Sequence, residues 1–120
     1  MAEHNDKGKV GEKLATEHLI NLGYEILNIN WRARRYEVDI IAQKDNILVF
    51  CEVKYRSYNT FGEPESFVNK LKQQNIIKAA ALYVGRIQWK EESRFDIVSV
   101  LKEGEVIKIN HIENAYSCTW

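Results

Sequence analysis

A chain of 120 residues has the length of one domain, too short for two independent hydrophobic cores. Hydrophobic residues at 45% and charged residues at 28% exclude a disordered chain, and a single proline with six glycines excludes a low-complexity linker. Seventeen basic residues balance seventeen acidic ones, so net charge argues for no particular partner. No apolar run approaches the roughly 20 residues of a bilayer span. The polar start from Met1 to Lys13 lacks a signal-peptide core, so a cytoplasmic location without membrane attachment is expected.

The first segment, about Asn5 to Leu22, reads as a helix, with Val10, Leu14, Ala15, His18 and Leu22 on one stripe and Gly23 placed to end it. Tyr24 to Ile29 reads as a short strand. Tyr36 to Ala42 and Ile47 to Tyr55 are β-rich runs joined through Gln43-Lys44-Asp45-Asn46, the pattern of a hairpin. Pro64 breaks the chain, and Ser66 can cap a second helix that runs to about Val84, before Gly85. Phe95 to Leu101 and Glu105 to Ile109 form a further β pair across Glu103-Gly104. The order αβββαββ predicts one α/β domain over residues 1–120, a mixed β-sheet flanked by helices, with a right-handed crossover if the joined strands are parallel.

Charge is unevenly spread along this order. Lys54 to Lys90 holds seven basic residues against two acidic, and Glu91 to Glu113 holds six acidic against three basic. Arg32, Arg34 and Arg35 lie between Trp31 and Tyr36 as a second basic cluster. Such asymmetry permits an anionic partner on one side without requiring it. Cys51 and Cys118 lack disulfide-scaffold or metal spacing, and Cys51 reads as a small buried hydrophobe. His4, His18 and His111 have no ligand spacing and read as structural.

The chemistry lies in Glu37-Val38-Asp39-Ile40-Ile41 and Val49-Phe50-Cys51-Glu52-Val53-Lys54. Alternate residues of a strand share a face, which groups Glu37, Asp39 and Ile41, and also Phe50, Glu52 and Lys54. A two-residue turn at Asp45-Asn46 sets Asp39 opposite Glu52. A four-residue turn keeps both acids on one face, and an odd loop separates them. Facing carboxylates repel unless a cation lies between them, and a hard divalent ion, Mg²⁺ or Mn²⁺, suits these oxygen donors. The backbone carbonyl of Val53 adds a donor, and the Lys54 ammonium can hold an attacking water or offset charge on a phosphate in reaction. Glu12 lies at the edge of the first helix's apolar stripe and can face the sheet as a third acid. Metal, water, lysine and three acids suit phosphodiester hydrolysis.

Asp39 followed by Glu52-Val53-Lys54 on the next strand, after a helix carrying Glu12, resembles the PD-(D/E)XK nuclease superfamily, which includes Holliday-junction resolvases. Gly11-Glu12, Leu22-Gly23-Tyr24, Asn30-Trp31-Arg32, Glu37 to Ala42, Phe50 to Arg56, Phe61-Gly62-Glu63-Pro64, Lys72-Gln73 and Arg94-Phe95-Asp96 are similar to one branch, the bacterial YraN family of predicted endonucleases, uncharacterised protein family 0102. The resemblance covers about residues 8 to 100. It implies a restriction-endonuclease-like fold in which Glu12, Asp39 and Glu52 bind Mg²⁺ or Mn²⁺, Lys54 is the catalytic lysine, and Lys72 and Gln73 lie beside the site. Tyr36 stands where the family usually has glycine, Cys51 where valine is common, and Val38 replaces the proline of the superfamily's name; none removes an implied ligand.

The activity so implied is metal-dependent cleavage of DNA, branched, nicked or damaged, read by structure rather than sequence through Arg32, Arg34, Arg35, Arg56, Lys72 and Gln73. A domain this small cannot enclose a duplex, which suits a homodimer. The competing expectations are a non-catalytic nucleic-acid or protein-binding module retaining the fold, and a hydrolase of small phosphoesters. On residue chemistry alone Glu-x-Lys is most often a surface salt bridge, Lys72 is solvent-facing, Asp96 pairs with Arg94 or caps a turn, and Trp31 and Tyr24 are core aromatics. The polar stretch from Arg56 to Ser66 is placed to guide substrate.

Overall fold

Helix α1 (Ala2–Asn21) leads into three antiparallel strands, β1 (Glu25–Ala33), β2 (Tyr36–Lys44) and β3 (Ile47–Ser57); α2 (Lys70–Ile87) then crosses to β4 (Glu92–Glu103) and β5 (Val106–Tyr116). This computed structural model describes residues 2–57 and 68–117, with side chains for 8–56 and 68–117. Cys118, Pro64, the proposed cap Ser66 and most of the polar stretch after Arg56 lie outside the described residues. The five strands form one sheet in the order β1-β2-β3-β4-β5, parallel between β3 and β4 and antiparallel elsewhere. The expected α/β architecture and element order are those observed.

β3 is central and apolar on both sides, as a strand covered by helices must be. Val49 and Cys51 pack with Ala15 and Leu19 of α1, while Leu48 and Phe50 pack with Ile76, Ala79 and Tyr83 of α2. The sheet is thus the middle of three layers. Cys51 is buried as expected, and burial pushes its thiol well up from the ordinary range.

Several local expectations are corrected. The buried face of α1 runs through Gly11, Ala15 and Leu19, whereas Val10 and Leu22 are exposed. The turn is rotated because Gly11 carries no side chain: a Cβ there would stand 3.0 Å from the Tyr55 Cβ, so this face approaches β3 closely. α2 is capped by Asn69, whose side chain accepts from the Lys72 N–H, and it continues through Gly85 to a left-handed Gln88. All five strands run longer than expected, because ladder hydrogen bonds continue into polar residues.

The β2–β3 turn has two residues. Asp45 and Asn46 both adopt positive φ (53° and 63°), the primed turn that matches strand twist, and Lys44 pairs with Ile47. That even register is the one that brings Asp39 to Glu52. The β4–β5 turn is one residue later than expected: Glu103 pairs with Val106 across Gly104-Glu105, with Gly104 at φ 63°.

Candidate functional site

The β2–β3 ladder runs from Lys44↔Ile47 to Ile40↔Cys51 and stops. One step further would pair Asp39 with Glu52. There the strands part, and the Val53 N–H donates to Asp39 Oδ2 at 2.8 Å. The other edge of β2 is interrupted at the same residue: Ile29↔Ile40 and Trp31↔Val38 pair, while Asn30, beside Asp39, adopts φ 53°. Side-chain alternation breaks with the ladder. Val38 and Ile41 both pack toward α2, while Ile40 packs toward α1. Glu37, Asp39 and Ile41 therefore do not form the unbroken row expected of a regular strand.

Glu52 is almost fully buried at 6% exposure, on the side of β3 that faces α2. Its Oε1 lies 2.5 Å from Lys72 Nζ; Lys72 is exposed, as expected, and its ammonium reaches Glu52 from the solvent side. Glu52, with smaller contributions from Asp39 and Glu37, raises the Lys72 pKa although burial works the other way. The Lys72 ammonium does not offset the crowding of the acids. Burial first, and then Glu52, push the Asp39 carboxyl up to about 7, against the Val53 hydrogen bond and Lys72; Glu12 adds a smaller push in the same direction. Two carboxylates thus meet at the point where β2 and β3 separate.

Glu12 stands on α1 one residue after the close approach at Gly11, and its Oε1 accepts from Asn30 Nδ2 at 3.0 Å. Among the described residues, no three His, Cys, Asp or Glu side chains already form a cage for a metal ion. Asp39 and Glu52 are a donor pair of the right chemistry for a hard divalent cation. Glu12 is near enough to act on Asp39 but is held by Asn30.

A model of the uncharacterised protein family UPF0102 matches residues 11–100. The chain belongs to that family. It is the family the motifs resemble. A UPF0102 protein of Flavobacterium psychrophilum is 51% identical, covering 97% of this chain and 98% of its own. One from Flavobacterium johnsoniae is 50% identical over the same shares, and one from Thermodesulfovibrio yellowstonii is 43% identical over 91% and 94%.

In this UPF0102 protein the remaining candidates fall around the acid pair. Lys54 and Arg56 continue along β3 and are half-buried. Gln73 lies at the start of α2, where its Nε2 donates to the Val68 carbonyl at 2.7 Å. Arg34 and Arg35 form the tip of the β1–β2 hairpin, and Arg32 is paired with Glu37 at 3.0 Å.

Sequence reasoning missed Asn30 and Tyr116. Asn30 is one of two asparagines in β1, and an asparagine in a strand is a weak sign of a left-handed residue. Tyr116 stacks on Phe95 at 5.3 Å, and its buried hydroxyl has no hydrogen-bond partner among the described residues. Burial, followed by Glu52, holds its phenol above the ordinary range.

Outside the site, Asp96 forms a separate buried node. Arg94 donates to both its oxygens at 2.8 Å, His111 Nε2 lies 2.7 Å away, and the Asn114 N–H donates at 3.0 Å. The expected Arg94 pairing is present. His18 and His111 touch at 3.4 Å and serve this node, the structural use expected of them.

Proposed function

We propose that this protein is a metal-dependent nuclease that hydrolyses DNA phosphodiesters. One observation carries the reading: the buried Glu52 and the half-buried Asp39, with the Lys72 ammonium on Glu52, meet where the β2–β3 ladder opens. Like charges are kept together at a cost when a cation or a reacting group will lie between them.

In this reading Asp39 and Glu52 would hold Mg²⁺ or Mn²⁺, with Glu12 and the Val53 carbonyl as further donors. A bound divalent ion supplies Lewis-acid polarisation of the phosphate and a more acidic water. Lys54 orients the attacking water on the Glu52 side of β3. Lys72, which holds Glu52 here, would be available to the scissile phosphate with an ion on the acids. Arg32, Arg34, Arg35, Arg56 and Gln73 hold the DNA backbone, so recognition follows DNA structure rather than sequence.

A second reading, a binding module that retains the fold without cleavage, draws support from the Lys72–Glu52 pair, which fills the place an ion would take. Thermal melting against Mn²⁺, together with cleavage of nicked and branched DNA, separates the two. A nuclease gains about 2.7 kcal/mol at a hundredfold excess of metal over its Kd. It also cuts DNA, and both effects disappear in Asp39→Asn. Absence of stabilisation and of cleavage at millimolar Mn²⁺ overturns the nuclease reading in favour of the module.

A further inference from the structure

The nuclease reading leaves open which form of nucleic acid the protein engages, and the outer edge of α2 addresses this. The 18 residues of α2 carry Lys70, Lys72, Lys78 and Arg86 and no acid. Helix α1 of the same chain mixes four acids with three lysines, so the single sign of α2 is not the habit of the whole surface. Cations in a helix's first turn also oppose its dipole, and Lys70 and Lys72 are both there.

Lys72, Lys78 and Arg86 fall within about one third of the helix circumference, on the edge that borders the β1–β2 hairpin. Two aromatic rings of that hairpin lie beneath them. Arg86 lies over the Trp31 ring at 5.5 Å, and Lys78 and Arg35 each lie 5.9 Å from the centre of the Tyr36 ring. Trp31 is braced edge-on by Tyr83 at 5.1 Å. Leu71, 68% exposed, lies on the same edge.

We propose that this edge is a track for a single-stranded segment of nucleic acid that leads to Glu52. This deepens the nuclease reading and rests on it. Rings paired with exposed cations suit unpaired bases: a base stacks on Trp31 or Tyr36, and the cation it displaces meets the adjoining phosphate. A duplex keeps its bases stacked on one another and leaves both rings unused. From Lys72 to Arg86 the helix extends about 21 Å, enough for several nucleotides.

The test is fluorescence anisotropy with a labelled single strand of ~16 nucleotides and the corresponding duplex, over a salt series with EDTA so that no cleavage occurs. The wild-type protein is expected to prefer the single strand by about tenfold, the scale of one stacked base. Lys78→Ala with Arg86→Ala should reduce the salt slope by about 1.4, at roughly 0.7 per phosphate contact. Trp31→Leu should abolish the single-strand preference and leave the salt slope. Should that variant fail to fold, Tyr36→Leu is the substitute.

Equal affinity for both forms, a slope unchanged in the double variant, or equal displacement of the strand by heparin and by unlabelled single strand would overturn the track. Binding of neither form would overturn it too. Loss of Mn²⁺-dependent cleavage in Glu52→Gln bears on the nuclease reading alone. Chelated binding with no cleavage under any metal therefore keeps the track and rejects the nuclease, while cleavage without strand preference does the reverse.

Discussion

Asp39, half-buried, and Asp96, fully buried, are two aspartates placed alike and treated differently. Each lies at a break in a β-ladder, and each accepts a backbone N–H from the neighbouring strand, Val53 in one case and Asn114 in the other. Each also has an asparagine with positive φ beside it, Asn30 at 53° and Asn114 at 52°. The remaining neighbours differ in sign. Asp96 is enclosed by Arg94 and His111; burial alone would raise its pKa, but these partners and the Asn114 N–H hold it below the ordinary range. Asp39 faces Glu52 and is pushed up to about 7. The same backbone device thus makes a cross-link at one site and a poised acid at the other.

The largest effect should come from breaking the satisfied node. Asp96→Ala takes from the half-buried Arg94 and from His111 the buried acceptor they share, and removing one partner of a buried ion pair costs about 3–5 kcal/mol. Urea denaturation should show that loss with an unchanged slope. A loss below 1 kcal/mol would mean that the node does not hold β4 to β5.

Asp39→Asn should move stability the other way. The amide keeps an acceptor for the Val53 N–H and removes one of two repelling carboxylates. A pKa raised from 3.8 to about 7 means that the native state keeps a proton the unfolded chain releases. Stability contributed by this group is therefore present below pH 4 and is lost as pH rises to 7, at up to about 1.4 kcal/mol per unit. At pH 8 the variant should be more stable by about 2–4 kcal/mol. It should also lose any response to Mn²⁺, giving the stability–activity opposition expected of a functional acid.

The pH profile sharpens the same contrast. Burial, then His111, lowers the His18 pKa, so the unfolded chain takes up a proton first and stability falls as pH drops below 6.5. Asp96 adds a further loss as pH falls below 3.8. Asp39 acts in the opposite sense between pH 4 and 7. The wild-type melting temperature should accordingly change little from pH 7 to pH 5, while Asp39→Asn should decline over that interval. Parallel profiles would show that Asp39 is not the raised group.

The same comparison shows what was legible in the sequence. Asp45-Asn46 between two apolar runs marked a hairpin but left its loop length open; the two-residue turn that forms carries Asp39 to Glu52 because side-chain alternation in β3 is regular. The break in β2 was hidden, since it depends on the φ of Asn30 in the adjoining strand and on where Asp39 finds its hydrogen bond. The rotated face of α1 was hidden for a similar reason: Gly11 is apolar by absence, so a count of large residues chose Val10 and Leu22. Lys72 was legible as exposed, but its pairing with Glu52 was not, because helical spacing gives a direction and not the depth of the neighbouring strand. The Asp96 node was visible only as Arg94 two residues away; His111 and Asn114 arrive through the β4–β5 pairing.

The smallest effect concerns Tyr116, between the two aspartates in character. Its ring is a satisfied part of the α2-side core, stacked on Phe95, whereas its hydroxyl is buried without a partner among the described residues. An unmade hydrogen bond of this kind costs about 1–3 kcal/mol, and Phe restores the ring without the polar atom. Tyr116→Phe should therefore raise stability by about 1 kcal/mol, allowing for partial hydration. Were the hydroxyl to serve the acid pair instead, by donating to a water or phosphate beside Glu52, the same change would leave stability nearly level and reduce Mn²⁺-dependent cleavage. Stability measured with and without Mn²⁺ thus assigns the hydroxyl: a gain in both conditions makes it a packing defect, as the Asp39 substitution would be without a metal.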